Sequence, residues 1–233
     1  MKKTLVFITA FLINTPIFAQ DSMPTQEFVL GFRAGGNYSS MIFGTDFDYT
    51  TVSPKFGFNV GAVARFDLVY TPIDFEMGIL YSRKGAKAEG ENFQISDYID
   101  FFDLSRNYQL DYIDIPIIVN LSTSSIKRNW QIYAGGGIMV SLGSKGKITE
   151  AFTSDNYELD FSNSVVWGDS PEAHFHKSDL SYIGQLGFKF NKSLEVNVSI
   201  SKSLVNIDPN NDFIKNSTMA LSIVKVINRK YVR

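Results

Sequence analysis

Apolar and polar residues alternate one by one along most of this chain. In the run from Phe56 to Leu68, the even positions hold Phe, Val, Ala or Leu, whereas the odd positions include Gly, Asn, Arg and Asp. Successive side chains of a β-strand point to opposite faces, so this period of two predicts strands with one apolar and one polar face. Eight such runs cover residues 28–38, 56–68, 73–82, 112–121, 130–142, 180–190, 194–201 and 218–227.

The connections between these runs alternate in length. Long connections lie near residues 40–54, 84–107, 143–179 and 207–216, and short ones near 70–72, 122–128 and 191–193. Outer-membrane barrels show the same alternation, with long extracellular loops and short periplasmic turns. The pattern therefore predicts an all-β fold: an eight-stranded antiparallel up-and-down transmembrane β-barrel with its N-terminus on the periplasmic side.

Charged residues within the runs fall on the face opposite the aliphatic one. In a membrane the aliphatic face must point outward, because hydrocarbon is the solvent there and every backbone group is paired around a closed ring. Eight strands leave room inside for side chains and no aqueous channel, which favours a plug of ion pairs over a selective pore. The predicted lumen charge network consists of Arg33, Arg65, Asp67, Asp74, Glu76, Asp114, Lys189 and Glu195.

Pro116 lies in the middle of the fourth run. Proline cannot donate a hydrogen bond to a ladder, and within sheets it is confined to edges, strand beginnings or bulges. The sequence therefore predicts a bulge or bend at this residue, with the missing hydrogen bond on the lumen side.

The N-terminus has the features of a secretory signal. A basic start, an apolar stretch of about ten residues and the small residue Ala19 predict a signal peptide over residues 1–19 and an outer-membrane barrel domain over residues 20–233. The apolar stretch is too short to cross a bilayer as a helix. We therefore expect export to the outer membrane of a Gram-negative cell envelope.

Charge and candidate chemistry narrow the function classes. A formal net charge of -2 gives no basic patch of the kind that binds nucleic acid. His174 and His176 form a His-x-His pair without the further defined ligand that a zinc site needs. No serine is set beside a base by its sequence context, as a nucleophile requires. We predict no enzyme activity, no catalytic or metal-binding residue and no cofactor.

Aromatic residues stand among acidic ones in two of the predicted loops, and the segment 154–169 is expected to form a small hairpin above the membrane. Exposed aromatics of this kind contact a protein or glycan partner. They could equally pack on a neighbouring loop as a lid, and the sequence leaves both interpretations open. The candidate loop-binding residues are Tyr98, Phe101, Phe102 and Trp167.

Three segments carry a family resemblance: "LYSRKGA" over residues 80–86, "LDYIDIPIIVNL" over 110–121 and "IYAGGGIMVSL" over 132–142. In this order they resemble the PorT-like outer-membrane β-barrels of Bacteroidetes. In that family a Tyr-Ser-(Arg or Gln)-Lys-Gly strand end precedes a Tyr-(Leu or Ile)-(Glu or Asp)-Ile-Pro strand and a glycine-rich strand. The resemblance covers the chain after the signal peptide and implies an eight-stranded barrel in the outer membrane. The family name is attached to type IX secretion and gliding, but only fold and location are carried over.

Three hypotheses for the function follow. The first is a non-enzymatic outer-membrane barrel, structural or partner-binding through its long extracellular loops. The second is an accessory component of a protein secretion or transport machine, and the third is a secreted soluble barrel that binds lipid inside. We expect outer-membrane lipid and envelope proteins as partners, no nucleic acid, and a monomeric barrel.

Overall fold

The computed structural model is built from antiparallel β-strands. It describes residues 26–44, 51–68, 71–94, 101–123, 130–153, 158–170, 172–190, 193–210 and 213–232. The predicted signal peptide and the candidate residue Tyr98 lie outside the described residues. The strands are β1 (Gln26–Phe43), β2 (Thr51–Leu68), β3 (Ile73–Gln94), β4 (Phe101–Ser122), β5 (Trp130–Thr153), β6 (Glu158–Ser164), β7 (Ser178–Phe190), β8 (Leu194–Ser203) and β9 (Ile214–Val232).

Eight of these nine strands form a closed ring. Strands β1 to β5 pair in chain order, β5 pairs with β7, and β9 pairs with β1 to close the ring. The remaining strand, β6, pairs with the upper part of β5. The predicted eight-stranded antiparallel barrel is thus confirmed, with β6 as an addition. The described residues contain no helix whose length and apolar character would let it cross a membrane.

The inner and outer faces of the ring differ in polarity along the middle of each strand. On β3, Phe75, Met77 and Ile79 point outward and are 48% to 63% exposed, whereas Asp74 and Glu76 point inward and are at most 3% exposed. Large apolar side chains cover the outside in the same way on the other ring strands. This outer surface, called the apolar band below, suits hydrocarbon as the external solvent. It argues against the soluble lipid-binding barrel, whose apolar face would point inward.

The strands continue beyond the apolar band on the extracellular side. On the outer face of β3, Tyr81 is followed by Arg83 and then by the exposed Lys87. On the inner face, Ala86 and Ala88 are completely buried. The polarity of the two faces is therefore reversed above the membrane, because water replaces hydrocarbon on the outside.

The extracellular connections are largely strand. Most of the predicted loop 84–107 is paired, since β3 continues to Gln94 and β4 begins at Phe101. The predicted limits of this loop are therefore wrong, and Phe101 and Phe102 belong to β4 rather than to a loop. Of the segment 154–169, expected to form a hairpin, residues 158–164 form β6, and this strand pairs with residues 147–153 of β5, before that segment.

A bulge on β5 accommodates the reversal of polarity. The register of β5 against β4 shifts between Asp111 and Tyr112, which leaves Ser144 as an extra residue on β5. As a result, odd-numbered residues such as Met139 are buried on the inside below the bulge. Even-numbered residues such as Ile148 are buried on the inside above it.

Pro116 is buried on the inner face of β4 and does not shift the register of its strand. The pairing of β4 with β5 runs through Pro116 without a break in register. On the other side, the ladder with β3 has the same register at Met77–Ile117 and at Leu80–Asp114, with two unpaired positions between them. The predicted bulge is therefore wrong. The proline sits where β4 makes no ladder pair with β3, so its missing N–H is tolerated.

We expect Ile117→Arg to destabilise the inserted barrel by about 2–4 kcal/mol, because it places a charge on the lipid face near the bilayer midplane. Ser105→Arg is the matched control, since Ser105 lies on the same face of the same strand but above the apolar band. Denaturant unfolding of both variants in lipid vesicles gives the free energies of unfolding. Equal losses in the two variants would contradict the outward assignment of the apolar band.

Candidate functional site in the barrel interior

Two buried arginines form ion pairs across the bore. Arg65 on β2 donates to both carboxylate oxygens of Glu195 on β8, at 2.7 and 2.6 Å, and through Nε to Asp67 at 2.8 Å. Arg33 on β1 donates through Nη2 to Glu76 Oε1 on β3 at 2.7 Å. Both arginines and both glutamates are at most 4% exposed. The pairs therefore link strands that are not neighbours in the ring.

A second group surrounds Asp74, near the periplasmic end of β3. Lys189 Nζ donates to Asp74 Oδ2 at 2.8 Å, and Asn120 Nδ2 donates to Oδ1 at 2.7 Å. The Ser122 hydroxyl adds a contact of 3.1 Å to Oδ2. Gln185 Nε2 donates in turn to Asn120 Oδ1 at 2.9 Å. The carboxylate thus has a cation and two neutral donors, as a buried charge requires.

A third group lies nearer the extracellular end. Lys84 Nζ donates to Asp114 Oδ1 at 2.9 Å and to the Ser141 hydroxyl at 3.3 Å. Asp179 at the start of β7 accepts from Asn216 Nδ2 at 3.0 Å. All five side chains are buried. Polar groups therefore fill the bore along much of its length.

The structure places all eight predicted lumen charges in this interior, with Asp67 the least buried at 22% side-chain exposure. Sequence reasoning missed Lys84 and Asp179. Lys84 could have been found by extending β3 beyond Ser82, where the predicted strand ended, because even-numbered residues of this strand point inward. The signal for Asp179 was its place one residue before the predicted sixth run. The role of the network as a plug stays a prediction.

Two glycines give buried polar side chains the space they need. A Cβ atom at Gly135 would lie 1.9 Å from Asn120 Oδ1, and one at Gly187 would lie 2.3 Å from the Tyr133 ring. Tyr133 is only 1% exposed, and its hydroxyl accepts from Asn197 Nδ2 at 3.2 Å. The missing side chains therefore supply width that an eight-stranded ring otherwise lacks.

An apolar cluster, called the apolar cap below, closes the extracellular end of the bore. The chain after β6 folds into it through Val165 and Phe175, and Trp167 packs edge-on against Tyr112 with ring centroids 5.3 Å apart. The structure thus places the candidate binding residue Trp167 against the cap. The buried members are Met41, Ala86, Ala88, Tyr108, Leu110, Tyr112, Ile148, Val165, Phe175, Ile207 and Ile214.

An interior cavity lies between the ion pairs and the cap. Its lining includes Arg33, Asn37, Lys84 and Asp114, and its volume is about 40 Å³. Such a volume holds a few water molecules, which is far less than a solute pathway needs.

The two histidines have separate contacts. His174 Nδ1 accepts from the Val166 backbone N–H at 3.0 Å, and His176 Nδ1 lies 2.7 Å from Asp169 Oδ1. In the part of the chain that the structure describes, no three histidine, cysteine, aspartate or glutamate side chains are grouped to hold a metal ion.

The closed ring, the apolar band and the charged bore define an integral β-barrel of the outer membrane. Residues 18–208 match the family model described as the outer membrane protein beta-barrel domain, and the chain belongs to that family. The expected location in the outer membrane is thereby confirmed. No curated protein matches the chain.

Three solved structures are similar to this one at low identity. Ail, the attachment invasion locus protein of Yersinia pestis, is 15% identical, with 88% of this chain and 100% of that chain covered and a TM-score of 0.37. Neisserial surface protein A is 7% identical, with 85% and 97% covered and a TM-score of 0.40. OprG from Pseudomonas aeruginosa is 11% identical, with 90% and 95% covered and a TM-score of 0.35. Nothing about function follows from similarities at this level.

We expect Glu195→Gln to lower the free energy of unfolding by about 3–5 kcal/mol, because it leaves the buried Arg65 charge without its main partner. The double variant Arg65→Met/Glu195→Met should lose much less, since an apolar pair of similar volume often replaces a buried ion pair without cost. Denaturant unfolding in lipid vesicles measures both. A double variant as unstable as the single one would show that the ion pair itself holds the ring together.

Proposed function

We propose that this chain is a non-enzymatic outer-membrane protein that binds a polypeptide partner at the cell surface through the hairpin of β5 and β6. The observation that carries this proposal is the exposure of β6. All seven residues of Glu158–Ser164 are exposed, and they include the large apolar side chains of Leu159 and Phe161, at 52% and 50%.

Strand β6 also offers a backbone edge. Residues 158–164 of β6 pair with residues 147–153 of β5, from Glu158 opposite Thr153 to Ser164 opposite Lys147. Among the described residues, no strand pairs with its opposite edge. An open edge presents N–H and C=O groups to an incoming extended chain, which is a recurrent mode of peptide recognition.

The side chains of β6 indicate what such a partner looks like. Leu159 and Phe161 share one face of the strand, and Glu158 and Asp160 share the other. The Phe161 ring contacts Phe152 on β5 with centroids 6.0 Å apart, so the apolar face continues onto the neighbouring strand. An added strand with apolar residues on one face and basic residues on the other is complementary to this pattern.

We expect Leu159→Ser/Phe161→Ser to abolish binding of extended peptides while leaving the barrel folded, because both side chains lie outside the ring. The experiment is to pan a displayed library of short random peptides against the purified barrel in detergent. The matched control is Asp160→Asn/Ser162→Ala, on the other face of the same strand, which should retain apolar peptides. Equal enrichment by the two variants, or none by the native chain, would refute the proposal.

The barrel itself, on this proposal, carries no solute. We expect no stepwise conductance from the purified protein in planar bilayers, because ion pairs and the apolar cap fill the bore in series. Phe175→Ala should also fail to conduct, since it opens only the cap and leaves the ion pairs below. Reproducible channels from the native protein would exclude a sealed barrel.

The narrower assignment to the PorT-like group is part of the same proposal. It is supported by a contact between two of the three motif segments. Lys84 in residues 80–86 is hydrogen-bonded at 2.9 Å to Asp114 in residues 110–121, inside the barrel. With this assignment, an accessory role in a secretion machine is the second candidate function. Co-purification with other envelope proteins after cross-linking in cells would favour that role. Sequencing of the mature N-terminus tests the proposed signal peptide over residues 1–19 and the start of the barrel domain at residue 20.

A further inference from the structure

The outer wall changes from apolar to basic at one height on the extracellular side. Below this height the outward residues include Phe56, Phe58 and Ile79, which are 79%, 40% and 63% exposed. Directly above them lie Lys55 on β2 and Arg83 on β3. This is the level at which the lipid headgroups of the outer leaflet meet the protein.

Arg83 is held in place on this wall. Its Nε and Nη2 donate to the two oxygens of Asp111 on β4, at 2.8 and 3.1 Å. Its guanidinium carbon lies 5.5 Å from the centroid of the Phe58 ring, within the range of a cation–π contact. The Arg83 side chain remains 38% exposed, whereas that of Asp111 is 8% exposed. The cation therefore still reaches the headgroup level.

Two lysines accompany this pair. Lys145 on β5 is exposed and is the ladder partner of Asp111. Lys55 on β2 reaches across β3 and donates to Asn107 on β4. We call Lys55, Arg83, Asp111 and Lys145 the girdle cluster; its three cations and single carboxylate leave two positive charges in excess.

Arg83 repels the positive charge of Lys55 within the girdle cluster. Burial and the neighbouring Arg83 lower the pKa of Lys55, which lies above the apolar band. A bound anion would offset the repulsion between the two cations, since opposite charge favours the protonated form of a lysine.

Backbone irregularities on β2 and β5 direct Lys55 and Lys145 outward. The register of β2 against β3 shifts between Pro54 and Asn59, so the residues between them make no ladder pair with β3. At this position the Ser39 hydroxyl on β1 accepts a hydrogen bond from the Gly85 N–H at 2.8 Å and donates one to the Gly85 C=O at 3.1 Å. The bulge at Ser144 on β5 lies on the other side of the β3–β4 pair. Bulges re-aim side chains in this way at functional positions.

We propose that the girdle cluster binds the phosphate group of an outer-leaflet lipid, whose acyl chains run down the wall over Phe56, Phe58 and Ile79. Arginine and lysine are the side chains best suited to phosphate oxygens. The cations stand above an exposed apolar surface, and a phosphate joined to acyl chains matches both parts at once. This site is separate from the peptide-binding hairpin, and either can exist without the other.

The test measures how detergent-solubilised barrel retains three probes in native mass spectrometry: lipid A with its phosphates, dephosphorylated lipid A, and inorganic phosphate. We expect retention of phosphorylated lipid A only, and an affinity about tenfold lower for Lys145→Gln, the loss expected for one charge-assisted contact. Arg83→Gln/Lys145→Gln should bind still less. Lys87→Gln is the matched control, because this outward lysine of β3 is already paired with Glu89.

Heat-dependent mobility on a denaturing gel verifies that each variant is folded, and Lys145→Gln removes an exposed side chain at little risk to folding. Retention of dephosphorylated lipid A to the same degree as the phosphorylated form would overturn the proposal. Unchanged retention in both cluster variants, or an equal loss in Lys87→Gln, would do the same. Binding of inorganic phosphate alone would assign the cluster to free anions and remove the lipid from the proposal.

Discussion

Charges inside an eight-stranded barrel have little water to solvate them, so they must find partners among the other side chains of the bore. Three of the interior ion pairs join strands that are not adjacent: β2 with β8, β1 with β3, and β3 with β7. The pairs between β2 and β8 and between β3 and β7 join strands three apart in the ring, so they form only when the ring is closed and both strands are in register. The same contacts that neutralise the interior therefore also favour the closed ring over an open sheet.

The solvent on each face decides how the sequence must be interpreted. Within the apolar band, the alternation of β2 and β3 predicted the faces correctly, because hydrocarbon outside and ion pairs inside make opposite demands. Above the band, the outside is water and the inside is the apolar cap, so Ala86 and Ala88 point inward where charges did below. On β3 the period of two continues through this point, but the polarity of the two faces is exchanged. A rule that assigns every apolar residue to the lipid face ends the strand there, which is why the loop 84–107 was predicted.

The interior site was predictable as a set of residues and not as a set of contacts. Parity along each run placed all eight charges on the inner face. Their pairing depends on ring closure and strand stagger, which a single sequence does not contain, so the Arg65–Glu195 contact could not be foreseen. Trp167 was also beyond prediction, because its contact with Tyr112 depends on how the chain after β6 folds back over the bore.

Ion pairs and the apolar cap occupy the bore, so the two surfaces proposed for interaction are the rim and the outer wall. On the wall, the register shift of β2 and the bulge at Ser144 of β5 lie on either side of the β3–β4 pair, at the same height. Bulges of this kind bend a strand and turn side chains away from the regular pleat. The bulge on β5 changes which residues of that strand point inward, from odd-numbered ones such as Met139 to even-numbered ones such as Ile148. The register shift on β2 has the same effect, because Asn59 below it pairs with the buried Ser82, whereas Val52 above it pairs with the buried Ala88 and packs against the apolar cap. A regular β2 would instead turn Val52 away from the cap, onto the same face as Phe56 and Phe58. The same shift leaves Phe56 79% exposed and lets Lys55 reach across β3 toward Asn107, so it also shapes the outer surface, with aromatic rings below and cations above.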